Sequence, residues 1–307
     1  MPNISVNAQW QQNGTPVAGG YGPGNATNQL DFPLGLYVDD DQTVYVADQL
    51  NHRIIQWKSG ETSGQVVAGG YEEGSGAHQF SMPCDVIVDK DTDSLIICDY
   101  SNRRVVRWPR RNGTSGETII SSIDCAGLTM DENGSLYVTD EGTFSDDTLR
   151  FDSFPREGEK HEVRRYRRGE SQGTVVAGGN GCGDRLDQLS YPRYAFVDRD
   201  HSVYVSDGGN HRVLKLVEGA KQGIVVAGGQ GEGNGLKQLS YPDAVVVDQL
   251  GTVYVADHGN NRIMRWPQGA TQGSVIVGGN GGGGQSSQFN GPFEKTCVSQ
   301  ELQTDKY

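Results

Sequence analysis

Apolar residues come in short runs of five to six, rich in Val, Ile and Tyr and bounded by Asp, Gly or Pro. Such runs predict β-strands, because branched and aromatic side chains suit a pleated surface and the bounding residues make turns. The runs recur in one order. A glycine-rich stretch leads to Gln-Leu/Phe-x-x-Pro, at Gln29–Pro33, Gln79–Pro83, Gln188–Pro192 and Gln238–Pro242. A run ending in Asp follows (Asp39, Asp89, Asp198, Asp248), then an alternating run such as TVYVAD ending at Asp48. An Asn-His/Arg-Arg step opens a third run, RIIQW, and a turn returns the chain to QVVAGG. The first glycine of the closing pair falls at 19, 69, 178, 228 and 278, and the double-length gap hides a divergent copy with Ser121 in the glycine place. Four antiparallel strands per roughly 50 residues, repeated six times, predict an all-β, six-bladed β-propeller.

The register places blade 1 at 33–69, blade 2 at 83–121, blade 3 at 125–178, blade 4 at 192–228 and blade 5 at 242–278. Residues 4–19 match the third and fourth strands of a unit, and 292–307 hold the place of the first two. A sixth blade closed by both chain ends is therefore expected, a clasp that removes free sheet edges. Two departures stand out. The tail PFEKTCVSQELQTDKY puts Glu294, Lys295 and Thr296 where an inner strand needs apolar residues, so the sixth blade is expected to be defective. Blade 3 lacks the glycine-rich loop and carries an insertion at 142–159.

The segments DQLNHRIIQW (48–57), DYSNRRVVRW (99–108), DGGNHRVLKL (207–216) and DHGNNRIMRW (257–266), each after a YVAD-like strand, resemble the NHL-repeat family. The resemblance covers the chain from Trp10 to Gly279 and implies a six-bladed propeller. Relatives include the C-terminal propellers of tripartite-motif ubiquitin ligases, which recruit substrate or RNA. This sequence has no RING pattern, B-box or coiled-coil heptads, so ligase activity is not expected of it.

Composition narrows the function classes. Glycine accounts for 44 of 307 residues without a three-residue period, which excludes collagen. No apolar run approaches the roughly 18 residues of a membrane span, and the start MPNISVNAQW shows no signal-peptide pattern, so a soluble protein is expected. With 26 basic and 39 acidic side chains the net charge is -13, which disfavours general nucleic-acid binding. The five cysteines have no zinc spacing. Cys98 reads as a small core residue, and Cys84 and Cys125 as two thiols that could face each other across neighbouring blades. Asn-x-Ser/Thr sequons occur at Asn3, Asn13, Asn25, Asn112 and Asn133.

Candidate chemistry is sparse. Asp48, His52 and Arg53 could serve as acid, base and oxyanion clamp, but a motif repeated in four blades serves what the blades share, namely turn capping and ion pairing. The propeller lyases of the peptide-amidating kind, which the repeat distantly resembles, hold axial zinc on histidines. Here His52 and His211 share a register while His78, His161, His201 and His258 fall elsewhere, so no three-histidine site and no cofactor is expected. Function is expected on the face where the glycine-rich loops and the loops between second and third strands emerge. The frame there stays constant while Leu34, Cys84, Ala126, Arg193 with Tyr194, Asp243 and Phe293 vary, which suits a binding rim. A second candidate is a basic flank of Arg103, Arg104, Arg107, Arg110 and Arg111 with Arg164, Arg165, Arg167 and Arg168, either paired with local carboxylates or open to an RNA strand or acidic protein. The reading is a non-enzymatic scaffold for a protein, peptide or glycan. The alternatives are a lyase or lactonase with an axial metal, and a substrate- or RNA-recruiting propeller.

Overall fold

The structure, a computed structural model, describes Ile4, Ala8 and residues 10–142 and 160–292. Its strands form five separate four-stranded antiparallel sheets. Blade 1 comprises β1 (Pro33–Val38), β2 (Val44–Asp48), β3 (Arg53–Trp57) and β4 (Gln65–Gly69). Blade 2 comprises β5 (Pro83–Asp89), β6 (Ser94–Asp99), β7 (Arg104–Pro109) and β8 (Glu117–Ser121). Blade 3 comprises β9 (Cys125–Met130), β10 (Leu136–Asp140), β11 (Glu162–Tyr166) and β12 (Thr174–Gly178). Blade 4 comprises β13 (Pro192–Val197), β14 (Val203–Asp207), β15 (Arg212–Leu216) and β16 (Ile224–Gly228). Blade 5 comprises β17 (Pro242–Val247), β18 (Val253–Asp257), β19 (Arg262–Trp266) and β20 (Ser274–Gly278).

The core lies between blades rather than inside any one of them. Tyr45, Ala47 and Ile54 of blade 1 pack on Val86, Val88 and Leu95 of blade 2. Tyr204 and Val213 of blade 4 pack likewise on Val245, Val247 and Val255 of blade 5. Each sheet is thus covered on both faces, which is why every residue of β2, β14 and β18 is buried although the strands read as alternating. The outermost strands, such as β16, stay partly exposed.

One polar motif ties the glycine-rich loops before blades 1, 2, 4 and 5 to their sheets. In blade 5, Asp257 Oδ2 accepts from Arg262 Nε at 2.6 Å and from Asn260 Nδ2 at 2.8 Å, while Oδ1 accepts the backbone N–H of Ser240 at 2.7 Å. The other guanidinium nitrogens of Arg262 donate to the carbonyls of Asn234, Gly235 and Gln238. Arg53, Arg104 and Arg212 repeat this set on Asp48, Asp99 and Asp207. Asp and Arg in this pattern are therefore engaged in holding the loop. The closing glycines serve the same wrap: Gly228 has φ +67°, and a Cβ there would lie 2.5 Å from the His211 carbonyl.

The residue between Asn and Arg turns left-handed and fastens the next blade. His52 Nδ1 accepts the Met82 N–H at 3.2 Å, His211 Nδ1 accepts that of Tyr241 at 3.1 Å, and Asn261 Oδ1 accepts that of Gly291 at 2.7 Å. His161 Nδ1 accepts from Tyr191 at 3.3 Å. This corrects the sequence expectation that no three histidines share a level. His52, His161 and His211 do, and the insertion before His161 hides it in the sequence. Their Nδ1 atoms serve the backbone, and no group of three or more His, Cys, Asp or Glu that could hold a metal occurs among the described residues.

An accepting Nδ1 requires a neutral ring. Burial holds His211 below the ordinary histidine range, against the pull of Glu232 and Asp257. The folded state then binds fewer protons than the unfolded chain below about pH 6.5. Stability from this contact is expected to be complete above that pH and to fall as pH drops. His211→Asn, which copies Asn261, should flatten part of the decline in denaturation midpoint between about pH 8 and 5. Equal slopes for wild type and variant would refute the role.

Three features differ from the sequence expectations. Five blades are formed among the described residues, not six. Residues 10–20 pair in no sheet; their ladder partners would come from 292–307, which lies outside the described residues from Phe293 onward. The described N-terminal residues instead run irregularly, touching blade 5 and blade 1. Ile4, Ala8 and Trp10 pack on blade 5, Gln12 Nε2 donates to the Ile276 carbonyl at 2.8 Å, and Ala18 packs on blade 1. The second difference is a disulfide between Cys98 on β6 and Cys125 on β9, with Cα atoms 5.8 Å apart. In the sequence Cys98 reads as a plain core residue, and Cys84 and Cys125 as two thiols that could face each other. The side chain before the terminal Asp of a second strand points at the next blade, which brings Cys98 to Cys125. Cys84 keeps its thiol 3.1 Å from the Cys125 carbonyl oxygen.

The third difference is in blade 3. Asp140 pairs in register with Glu162, where Asp48 pairs with Arg53. Two carboxylates replace an ion pair, and burial pushes Asp140 upward. Lys160 stands 3.4 Å from Asp140 and Arg164 bonds Glu162 at 2.5 Å, offsetting the charge. Of the insertion at 142–159, residues 143–159 lie outside the described residues.

Candidate functional site

Antiparallel blades send the turns joining second and third strands, and the loops entering first strands, to one face. Two positions of every blade meet there near the axis. One follows the proline that opens the first strand: Leu34, Cys84, Arg193 and Asp243, with Ala126 in the same place after Cys125. The other follows the aspartate that ends the second strand: Gln49, Tyr100, Glu141, Gly208 and His258.

Four blades contribute to one charged cluster. Arg193 Nη1 donates to Glu141 Oε2 at 2.5 Å, and Arg193 Nε donates to Asp243 Oδ1 at 3.1 Å. The Tyr100 hydroxyl donates to Glu141, and His258 lies beside Asp243 and Arg193. Tyr100 belongs to blade 2 and Arg193 to blade 4, and they interact across blade 3, which requires a position at the axial opening. Gly208 is part of the construction, since a Cβ there would come within 3.1 Å of Arg193 Cγ.

The electrostatics follow from burial. Desolvation alone would lower Arg193, but the carboxylates of Glu141 and Asp243 outweigh it and hold the guanidinium charged. Burial pushes Glu141 upward against the pull of Arg193. It also raises Tyr100 and lowers His258, so both are neutral near pH 7. Two carboxylates thus share one guanidinium beside a neutral phenol and a neutral imidazole. About a quarter of the Arg193 side chain remains open, while Glu141 is buried beneath it. Such a set can accept hydrogen bonds from a donor-rich group.

The structure distributes the expected rim unevenly. Arg193 and Asp243 come together. Leu34 and Ala126 are half-buried at equivalent places, and Cys84 is buried. Tyr194 is not on the rim. Strand alternation turns it into the core between blades 4 and 5. Phe293 lies outside the described residues. Tyr100, Glu141 and His258 were not foreseen, although the place after each repeated Asp varies while Asp, Asn and Arg recur.

The nine arginines of the expected flank each meet a carboxylate. Arg104 is the clamp of blade 2 on Asp99. Arg103 pairs with Asp124 at 2.6 Å, Arg107 lies 4.0 Å from Glu117, Arg110 joins Asp39 and the Tyr45 hydroxyl, and Arg111 meets Asp93. Arg164 bonds Glu162, Arg165 reaches Glu218 of blade 4, and Arg167 meets Glu170. Arg168 spans Asp89 and Asp91 of blade 2. An anionic partner would have to compete with these pairs.

Comparison with known proteins places the fold. Residues 239–266 match the family model described as the NHL repeat. A chain of a nidogen/laminin complex is 16% identical with a TM-score of 0.59, over 80% of this chain and 79% of that one. A protein of unknown function from Bacteroides thetaiotaomicron is 15% identical with a TM-score of 0.63, over 95% and 70%. Virginiamycin B lyase from Staphylococcus aureus is 12% identical with a TM-score of 0.52, over 82% and 71%. At these identities the likeness is one of fold, and the fold carries both binding proteins and an enzyme. No curated protein sequence matches the chain.

Proposed function

We propose that this protein, an NHL-repeat β-propeller, is a non-enzymatic binding module that engages a protein or peptide on its loop face. The observation that carries this reading is the axial cluster. Equivalent positions of one repeated frame hold different side chains, and four blades join theirs around a partly open Arg193. A frame that only needed closing would be served by the same residue in each blade. The cluster has one more carboxylate than guanidinium, and the whole chain carries -13, so the partner is one that presents a basic side chain to Asp243.

The test is affinity capture with the full chain. Asp243→Asn keeps size and removes charge, and Ile224→Ser alters an exposed side chain on an outermost strand. Wild type and the Ile224→Ser variant should retain one partner set in low salt, and Asp243→Asn should lose it. Retention of the same partners by all three would overturn the reading.

A further inference from the structure

The sequons and the cysteines are not accounted for by a loop-face binding site, and they point in one direction. Four of the five sequons lie among the described residues, and all four asparagines are exposed. Asn25 sits in the glycine-rich loop before blade 1, where its backbone carbonyl, not its side chain, receives the Arg53 guanidinium. Asn112 occupies the turn between β7 and β8 with φ 55°. Asn133 lies in the turn between β9 and β10, closed by the Gly134 N–H on the Asp131 carbonyl at 3.0 Å. The Asn13 side chain is within 3.3 Å of the Ser286 hydroxyl and so is already engaged. By contrast, the structural asparagines Asn51, Asn102, Asn210 and Asn260 hold the loops, and Arg stands two residues after each of them, so none is a sequon.

The second observation is independent. Cys98 and Cys125 are fully buried and joined across two blades. Structural disulfides of this kind form and persist in oxidising compartments. A glycosylation acceptor needs a sequon in an accessible turn, and it meets the transferase only on the secretory route.

We propose that Asn25, Asn112 and Asn133 carry N-linked glycans and that the protein matures in an oxidising secretory compartment. In the reaction the Asn carboxamide nitrogen forms a bond to the anomeric carbon of an oligosaccharide held on a lipid diphosphate. The carbon–oxygen bond to the diphosphate breaks, the amide nitrogen loses one proton, and the lipid diphosphate leaves. The chain's own contribution is to hold each acceptor in a turn outside any ladder. All five sequons precede residue 134, so blades 4 and 5, which supply Arg193 and Asp243, stay bare. Asn112 and Asn133 lie in turns on the face opposite that cluster. Glycans there would shield one side, and the Asn25 glycan would stand on the loop face at blade 1, not at blades 4 and 5.

Protein isolated from its source cells should drop in mass on peptide N-glycosidase treatment, with Asn25, Asn112 and Asn133 recovered as Asp and Asn51 and Asn102 unchanged. Expressed in those cells, Asn25→Gln, Asn112→Gln and Asn133→Gln should each remove one mass step. Non-reducing peptide mapping of the same sample should recover Cys98 linked to Cys125. Unmodified asparagine at all three sites, or Cys98 and Cys125 recovered as thiols, overturns the proposal. Either result leaves the loop-face reading standing, because capture by Asp243 needs neither glycan nor disulfide.

Discussion

Arg262→Ala should lower the stability of the propeller by about 3–5 kcal/mol, the cost of removing one partner from a buried ion pair. Asp257 is fully buried and would keep its charge, or take up a proton, with only Asn260 and the Ser240 N–H left to bond it. The carbonyls of Asn234, Gly235 and Gln238 would lose their donor together. Those carbonyls belong to the glycine-rich loop, so the wrap loosens as well as the pair. Arg262→Lys should recover only part of the loss, because an ammonium is a point charge and cannot span one carboxylate and three carbonyls as a planar fork does. Urea unfolding of wild type and both variants measures this. A loss below about 1 kcal/mol for the alanine variant would show that the clamp contributes no more than a surface pair.

Cys125→Ala should cost about 3–4 kcal/mol, the loop-closure entropy of a cross-link spanning a sequence separation of 27. The bond joins β6 to β9, so its loss acts on the contact between blades 2 and 3. The same contact retains Asp85, whose Oδ2 accepts the Leu128 N–H at 2.7 Å, and the apolar cluster of Ile87, Ile96 and Leu128. Reductant should lower the unfolding midpoint of wild type toward that of the variant and leave the variant unmoved. An equal response of both proteins to reductant would exclude the staple. Cys125 is the informative position, since its removal also prevents any exchange with the nearby Cys84.

What the sequence by itself determined is local and repeated. The period near 50 residues, the apolar runs between turn residues and the Asp-x-x-Asn-x-Arg step specify four-stranded antiparallel blades, since each strand pairs with its chain neighbour and each Arg clamps the loop just before its own blade. Contacts that join distant residues were decided by the tertiary structure. Six periods could be counted, yet five blades are formed among the described residues, and the place of the sixth falls largely on 293–307, outside them. Cys98 joins Cys125 and not Cys84 to Cys125 because the pleat of β6 aims one side chain at the next blade. His161 shares the place of His52, which the 142–159 insertion hides from the spacing along the chain. The axial cluster was half legible: Arg193 and Asp243 vary at a visible position, while Tyr100, Glu141 and His258 reach them only because the packing of successive blades brings four inner strands together, a proximity that no spacing along the chain encodes.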